Sequence, residues 1–585
     1  MKRFFTSANL LSILFFLCSF LFLELNYRYF YRFMEQYSMF LYTGEYLATL
    51  CRQVGGLLEY VTAFVTQSFL LPLASSLCLA ILLTMVGRLM LYLMRQTSAQ
   101  ASPLAELACF LPPFLFLIFP VESAAPVIAS LAGTAAAALY ASLERPGIRL
   151  AAGLALVTLL YPTAAPSHIL AALLMLAHEC GRRTGGRYTA AALLIAVWAA
   201  VLPLIAMRTI YIMPIREAFI GKSLFHPEYS LPASFWYIAL SFPLTASLTA
   251  LAARRSKPPR TAKAAIAALT LMAAASPAAI IYGGHPLEQA YLYDWLARQE
   301  RWEAITSHAS THPVKDKDAL VYLNMAHVHK GTFNQSLMLL PKIGEEGMIP
   351  HDPKTRLGLI EASEVSWLLN HTNAAQRFAF VGVLSSERNV QPRLMRRLIE
   401  TYLVNEEYRA AAKYIGLLEK TSFHKRGMAE LRKLLDPQTA GQTDWIARRR
   451  LLNPITDNPY DPTKALASTL GALIDDCPGN KAAFTYGMGY LLIYKDLGAF
   501  MHYMEKLKGE KLPVVYQEAI CFYYAAVENN PEALSSYGID PAVYSRFRGY
   551  LQHVGSAMPP LLARQYGDTY YYYAQFINPP IKSAQ

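Results

Sequence analysis

Two rhythms divide this 585-residue chain. Up to about residue 283, long apolar runs alternate with short polar turns. From Leu287 onward, apolar residues recur at helical spacing within otherwise polar stretches, with no convincing strand-like alternation. A helix needs ~20 apolar residues to cross a bilayer. By that measure the first half predicts nine spans, over residues 4–25, 69–93, 105–120, 123–143, 149–164, 167–181, 188–212, 233–252 and 264–283. The runs between 105 and 181 are short, and are open to reading as tilted pairs, partly buried helices or re-entrant segments. Met1-Lys2-Arg3 resembles the start of a signal peptide. The run that follows is too long for one and lacks a small-residue cleavage site, so it reads as an uncleaved first span.

The second half is expected to be helix after helix. Segments 291–309, 322–340, 366–384, 400–418 and 490–507 each read as an amphipathic helix, a short polar turn, and then an aromatic residue or alanine: Trp302, Phe333, Ala374 or Phe378, Tyr408 and Phe500. The pattern is clearest in VNEEYRAAAKYIGLLEK, where Tyr408, Ala411 and Ala412 take the packing positions. This is the grammar of tetratricopeptide-like hairpins, which stack because none buries its apolar face alone. The expected fold is all-α: a polytopic helical membrane domain over 1–284, with an interfacial aromatic helix near 26–56, followed by an α-solenoid. Within the solenoid, 285–435 form a repeat block and 436–465 a loop or break. Residues 466–585 form a second block with a tyrosine-rich cap.

Charge sharpens the boundary. Up to Tyr293 there are eleven acidic residues, all Glu; the other 30 of the chain's 41 follow, beginning with Asp294. The net charge of +12 does not call for nucleic acid, because the basic residues of the first half sit in short loops between apolar runs. With the N-terminus inside, inner segments carry fourteen Lys and Arg and outer segments six. That bias is the one cytoplasmic loops show. Nine spans then place the helical half outside the cytoplasm. The seven cysteines are odd in number, form no CxxC, and mostly lie in apolar runs, so they read as small apolar residues.

Candidate chemistry is sparse. The outer segment after the first run is dense in aromatics from Tyr27 to Tyr46, which suits the headgroup level of a bilayer. It offers Glu24, Glu35, Glu45 and Glu59 as acids, and Glu122 sits on a later outer turn. The preferred reading is an aromatic belt with interfacial charges. His168 and His178 are ten apart, not at the i, i+4 spacing of two ligands on one helix face. Arg208, Arg216, Lys222 and His226 cluster near an outer loop and suit an anionic head group, although a solvated loop explains them as well. Tyr570 and Tyr571 belong to a run of four tyrosines that reads either as a stacking surface or, preferably, as a capping helix. No P-loop, HExxH, GxSxG or strand-borne GxGxxG occurs, and no metal site is expected.

Through GGLLEYVTAFVTQ, DWLARQERWEAI, HTNAAQRFAF, NEEYRAAAKYIGLL and YGDTYYYY, the chain resembles an uncharacterised family of Bacteroidetes multi-pass membrane proteins with a tetratricopeptide-like C-terminal half. That resemblance implies a bacterial envelope location and supplies no catalytic residue. Taken with the charge bias and the nine spans, the expectation is an inner-membrane anchor with a periplasmic C-terminal domain. The layout also resembles polytopic glycosyltransferases of the GT-C type, which place acids in the first outer loop as base or metal ligand. Two functions follow as expectations. The first is a scaffold, not an enzyme and without cofactor, embedded in the lipid bilayer and binding an envelope protein through its repeats. The second is a lipid-linked glycosyltransferase, or a degenerate relative, that uses Glu24, Glu35, Glu45 or Glu122 on a lipid-linked glycan, with a divalent metal under this reading alone. No Asp precedes Asp294, a departure from what the second reading requires.

Overall fold

The computed structural model describes residues 7–97, 103–119, 121, 123–182, 186–221, 233–253, 285–340, 347–350, 353–385, 390–453, 466–555 and 559–579. Among them every regular element is a helix. The chain divides into two units: one of residues 1–288 with 420–423, the other of 289–419 with 424–585. The composition break falls within a few residues of that division.

The first unit opens with α1 (Ser7–Asn26), α2 (Arg28–Met34), α3 (Gly44–Cys51) and α4 (Gly56–Thr66). Next come α5 (Ala74–Thr97), α6 (Pro103–Ala108), α7 (Leu111–Ile118), α8 (Ala125–Ser142) and α9 (Pro146–Ala164). It closes with α10 (Ser167–Arg182), α11 (Gly186–Thr209), α12 (Ile215–Ile220) and α13 (Ala233–Ala253). Five of these, α1, α5, α8, α9 and α11, are long and apolar enough to cross a membrane. Of the other expected spans, 105–120 breaks into α6 and α7, 167–181 forms the 16-residue α10, and 233–252 matches α13. The span expected at 264–283 lies outside the described residues.

Helix α10 packs against α8, α9, α11 and α13, and this enclosure lets it carry buried His168, His178 and Glu179. Small residues allow the close approach that helices in lipid need. A Cβ on Gly87 would stand 2.5 Å from the Phe110 ring, and one on Gly153 would stand 2.3 Å from Ile195. The aromatic outer segment is not one interfacial helix. It is α2, a 3-10 turn over Glu35–Tyr37, an extended stretch, and α3. Some of its rings pack inside the protein: Tyr27, Phe30, Tyr31, Phe33 and Phe40 are buried, and Phe40 meets Tyr46 and Tyr60 within 5.8 Å, while Tyr42 and Phe64 beside it are exposed. Burial against protein accounts for the buried rings of this segment.

The second unit begins with α14 (Glu288–Ala297), α15 (Trp302–Thr311), α16 (Lys317–His329) and α17 (Phe333–Ser336). It continues with α18 (Arg356–Leu368), α19 (Thr372–Leu384), α20 (Pro392–Val404) and α21 (Tyr408–Leu418). After α22 (Met428–Lys433), two helices occupy the first part of the stretch 436–465 expected to be a loop or break: α23 (Pro437–Gln442) and α24 (Asp444–Leu452); residues 454–465 lie outside the described residues. Asp436 caps the first through the Thr439 amide. Its pairing with proline at the first helical position is a helix-start signal. The later helices are α25 (Leu466–Asp476), α26 (Lys481–Ile493), α27 (Leu497–Glu505), α28 (Val514–Phe522), α29 (Pro541–Val554), α30 (Pro559–Tyr566) and α31 (Tyr570–Phe576).

Five hairpin turns of this unit share one geometry. Glu300, Gly331, Asn370, Glu406 and Lys495 all have φ between 56° and 69°, and each stands two residues before the next helix. After each, an amide reaches back five residues: Arg301 to Leu296, Thr332 to His327, His371 to Ser366, Glu407 to Tyr402 and Asp496 to Leu491, at 2.8 to 3.0 Å. This is the left-handed helix stop that satisfies otherwise orphaned carbonyls. Successive helices then pack face to face, α18 on α19, α19 on α20 and α20 on α21. Gly382 permits the α19–α20 approach, since a Cβ there would stand 2.1 Å from Leu394.

Candidate functional site

In the first unit the polar groups converge where α1 ends. Glu24 pairs with Arg28 at 2.5 Å and accepts a hydrogen bond from the Ser76 hydroxyl on α5 at 2.8 Å. At the far end of α2, Glu35 is buried and accepts from Gln36 Nε2 at 2.5 Å. Glu288 accepts the backbone amides of Tyr29 and Phe30 at 2.7 and 3.0 Å, closing the first turn of α2. His285 stacks on the Phe30 ring at 4.2 Å. Burial pushes the Glu288 carboxyl up to about 7, against the two amides and Arg28, which draw it down. Burial also pushes His285 down to about 4. Both Glu288 and His285 were missed by sequence reasoning, because they follow the last apolar run and carry no motif.

The other acids proposed from sequence do not share this cluster. Glu45 is exposed on α3, Glu59 is half-buried on α4, and Glu122 lies outside the described residues. Arg208 and Arg216 are exposed at the end of α11 and on α12, while Lys222 and His226 lie outside the described residues. Deeper in the unit, Arg149 on α9 pairs with Glu179 on α10 at 2.5 Å, both fully buried. Arg149 also donates to the Ala141 and Leu143 carbonyls, so it stops α8 and ties α9 and α10 to it.

In the second unit a charged network joins helices far apart in sequence. Asp294 on α14 accepts from Tyr322 on α16 at 2.7 Å and from Arg393 on α20. Glu364 on α18 pairs with Arg393 at 3.3 Å and Arg397 at 2.5 Å, and Arg397 also pairs with Glu400 at 2.6 Å. Burial acts to raise the Glu364 carboxyl, and the two guanidiniums outweigh it, holding Glu364 below the usual carboxylate range. Glu361 on the same helix is fully buried with neither oxygen partnered, and burial followed by Asp318 and Asp294 pushes it far up. A neutral carboxyl is the consequence. The Arg393/Arg397 and Glu361/Glu364 spacings of four and three residues were the legible signal, since such pairs share a helix face. Among the described residues no group of three or more His, Cys, Asp or Glu is arranged to hold a metal ion.

At the chain's end, Tyr570 and Tyr571 are fully buried, with Phe522, Phe547, Tyr550 and Tyr566 around them. Their faces are taken by protein, so neither ring offers a stacking surface; Tyr572 keeps partial exposure.

Among the described residues every regular element is helical, five helices of the first unit are long and apolar enough to cross a membrane, and the second unit is built of hairpins, which makes this a helical membrane protein. The chain belongs to a family of unknown function, DUF6057, whose model matches residues 2–577. No curated protein and no solved structure matches it.

Proposed function

We propose that this protein is a multi-pass protein of the bacterial inner membrane, with about nine spans and a cytoplasmic N-terminus. It presents a tetratricopeptide-like solenoid in the periplasm as a scaffold for envelope protein or glycan assembly. The observation that carries the reading is the helix stop repeated at Glu300, Gly331, Asn370, Glu406 and Lys495. One supersecondary unit used five times is how stacked hairpins build extended binding surfaces. The glycosyltransferase alternative asks for an accessible carboxylate in the first outer segment. Glu24 is tied to Arg28 and Ser76, and Glu35 is buried against Gln36, which supports the scaffold; exposed Glu45 on α3 is the carboxylate left to the alternative.

Complementation of a deletion strain tests the choice. Glu24→Gln, Glu35→Gln and Glu45→Gln are each expected to restore the phenotype, and a chain lacking residues 289–585 is expected not to, at matched membrane levels. Full rescue by the truncated chain sinks the scaffold. Loss in any glutamine variant with normal levels revives the enzyme. Orientation is checked at Cys51, which is exposed on the outer segment. A membrane-impermeant maleimide should label it from the periplasmic side of intact inner membranes.

A further inference from the structure

The elbow between α11 and α12 alternates. Tyr211 and Met213 turn inward and pack on Val54, Tyr161, Ala165 and Ala206. Ile210, Ile212 and Ile215 turn outward, and Ile212 is fully exposed (106%). Arg208 and Arg216 flank these isoleucines, and both are exposed. Glu217, half-buried on α12, is the acid nearest in sequence.

Three isoleucines held out in this way are unfavourable in water, by about 25 cal/mol for each Å² of apolar surface. They are favourable where a bilayer covers them. The outward face of α11 carries exposed Leu193, Leu194, Val197, Val201, Leu204 and Ile205. The isoleucines therefore prolong a surface already suited to acyl chains. The elbow begins at Thr209, where this 24-residue span ends. That is the depth at which hydrocarbon gives way to phosphate, and arginines there reach the headgroup layer while their stems stay in apolar surroundings.

We propose that the α11–α12 elbow is a binding site for anionic phospholipid, with Ile210, Ile212 and Ile215 in the acyl region and Arg208 and Arg216 on the headgroup phosphate. The inward side chains fix it to the core, so it is a preformed clamp rather than a floating loop. The guanidinium fork suits phosphate oxygens better than an ammonium would. The proposal does not depend on the scaffold reading.

The test uses the full chain with a bimane on Ile212→Cys, after the exposed Cys18, Cys51 and Cys180 are changed to serine. Quenching by brominated phosphatidylglycerol is compared with quenching by brominated phosphatidylcholine in mixed bilayers. Phosphatidylglycerol is expected to be preferred at this position. Arg208→Gln with Arg216→Gln is expected to lower that preference about thirty-fold, at roughly fivefold for each arginine. Free inorganic phosphate at millimolar levels should not compete. No preference in the parent, or a preference unchanged in the double variant, overturns the proposal. So does absence of quenching by either lipid, which would place protein over the elbow. A disulfide formed between two copies through Ile212→Cys would make it a self-contact and overturn the proposal as well.

Discussion

Arg449 and Trp367 are 82 residues apart in sequence, yet the Arg449 guanidinium lies 3.5 Å from the centroid of the Trp367 ring and donates to the Trp367 carbonyl at 2.7 Å. Arg397 lies over the same ring at 4.3 Å. Burial, then Arg397, pushes the Arg449 guanidinium down to about 10, which still leaves it charged at neutral pH. Arg449 therefore clamps α24 onto the end of α18, and Arg450 does the same to α20 through the Val404 and Leu403 carbonyls. Arg449→Ala is expected to lower the stability of the second unit by about 3 kcal/mol, the sum of a desolvated cation–π contact and charged hydrogen bonds. Arg449→Lys should recover less than half, because an ammonium cannot stack and donate together. Chemical unfolding followed by tryptophan fluorescence measures both.

The buried Arg149–Glu179 pair should respond asymmetrically. Arg149→Leu alone strands the Glu179 carboxylate and is expected to cost about 3–5 kcal/mol, seen as a loss of folded protein in membranes. The double change Arg149→Leu with Glu179→Leu should recover most of it. A double variant as poor as the single one would mean that the carbonyl bonds of Arg149, not the charge pair, dominate.

Glu518 on α28 is buried and accepts the Tyr570 amide at 2.9 Å. Burial pushes its carboxyl up to about 7, with the Tyr570 amide and Arg546 opposing, against an ordinary 4.5. A raised carboxyl makes stability greatest at low pH and lowers it as pH rises through about 7. The contribution between pH 5.5 and 8.5 is about 2 kcal/mol. Glu518→Gln keeps an acceptor for the amide and should flatten that dependence, leaving the variant more stable than the parent at pH 8.5. Thermal unfolding across the range checks it.

The repeated turns give a prediction of opposite sign. Glu300 has φ of 56° and an exposed side chain. Left-handed backbone costs an L-residue about 1–2 kcal/mol that glycine avoids. Allowing for the freer unfolded chain, Glu300→Gly should stabilise by about 0.5–1 kcal/mol. Gly331→Ala, at the equivalent position with φ of 69°, should destabilise by a similar amount. Equal effects at the two sites in the same direction would deny that the turns are equivalent.

Much of the architecture was legible. The change from unbroken apolar runs to period-3.6 patterning near residue 285 lies close to the division between the two units, and left-handed turns stand at Glu300, Gly331, Asn370 and Glu406. Local signals sufficed there, because hydrophobic periodicity and left-handed turns depend on near neighbours. Reading 436–453 as part of an interruption underrated the helix-start signal Asp436-Pro437. Prolines and polar residues suggested a loop, while docking of Ile446, Arg449 and Arg450 on earlier helices makes α24.

The sequence by itself determined that the described residues are helical and that the first half holds membrane-length apolar helices, since composition and spacing carry those properties residue by residue. Tertiary structure alone decided which charges meet. Asp294 finds Arg393 across 99 residues, Arg149 finds Glu179 across 30, and Glu288 finds the amides of Tyr29 and Phe30 across more than 250. Such partners are chosen by the cost of burying a polar group unpaired, which arises only once packing has removed the water. The same packing buried Glu35, tied Glu24 to Arg28, and turned Tyr570 and Tyr571 inward. It left Ile212 outside between two arginines, a contrast that the apolar pattern of the chain does not distinguish.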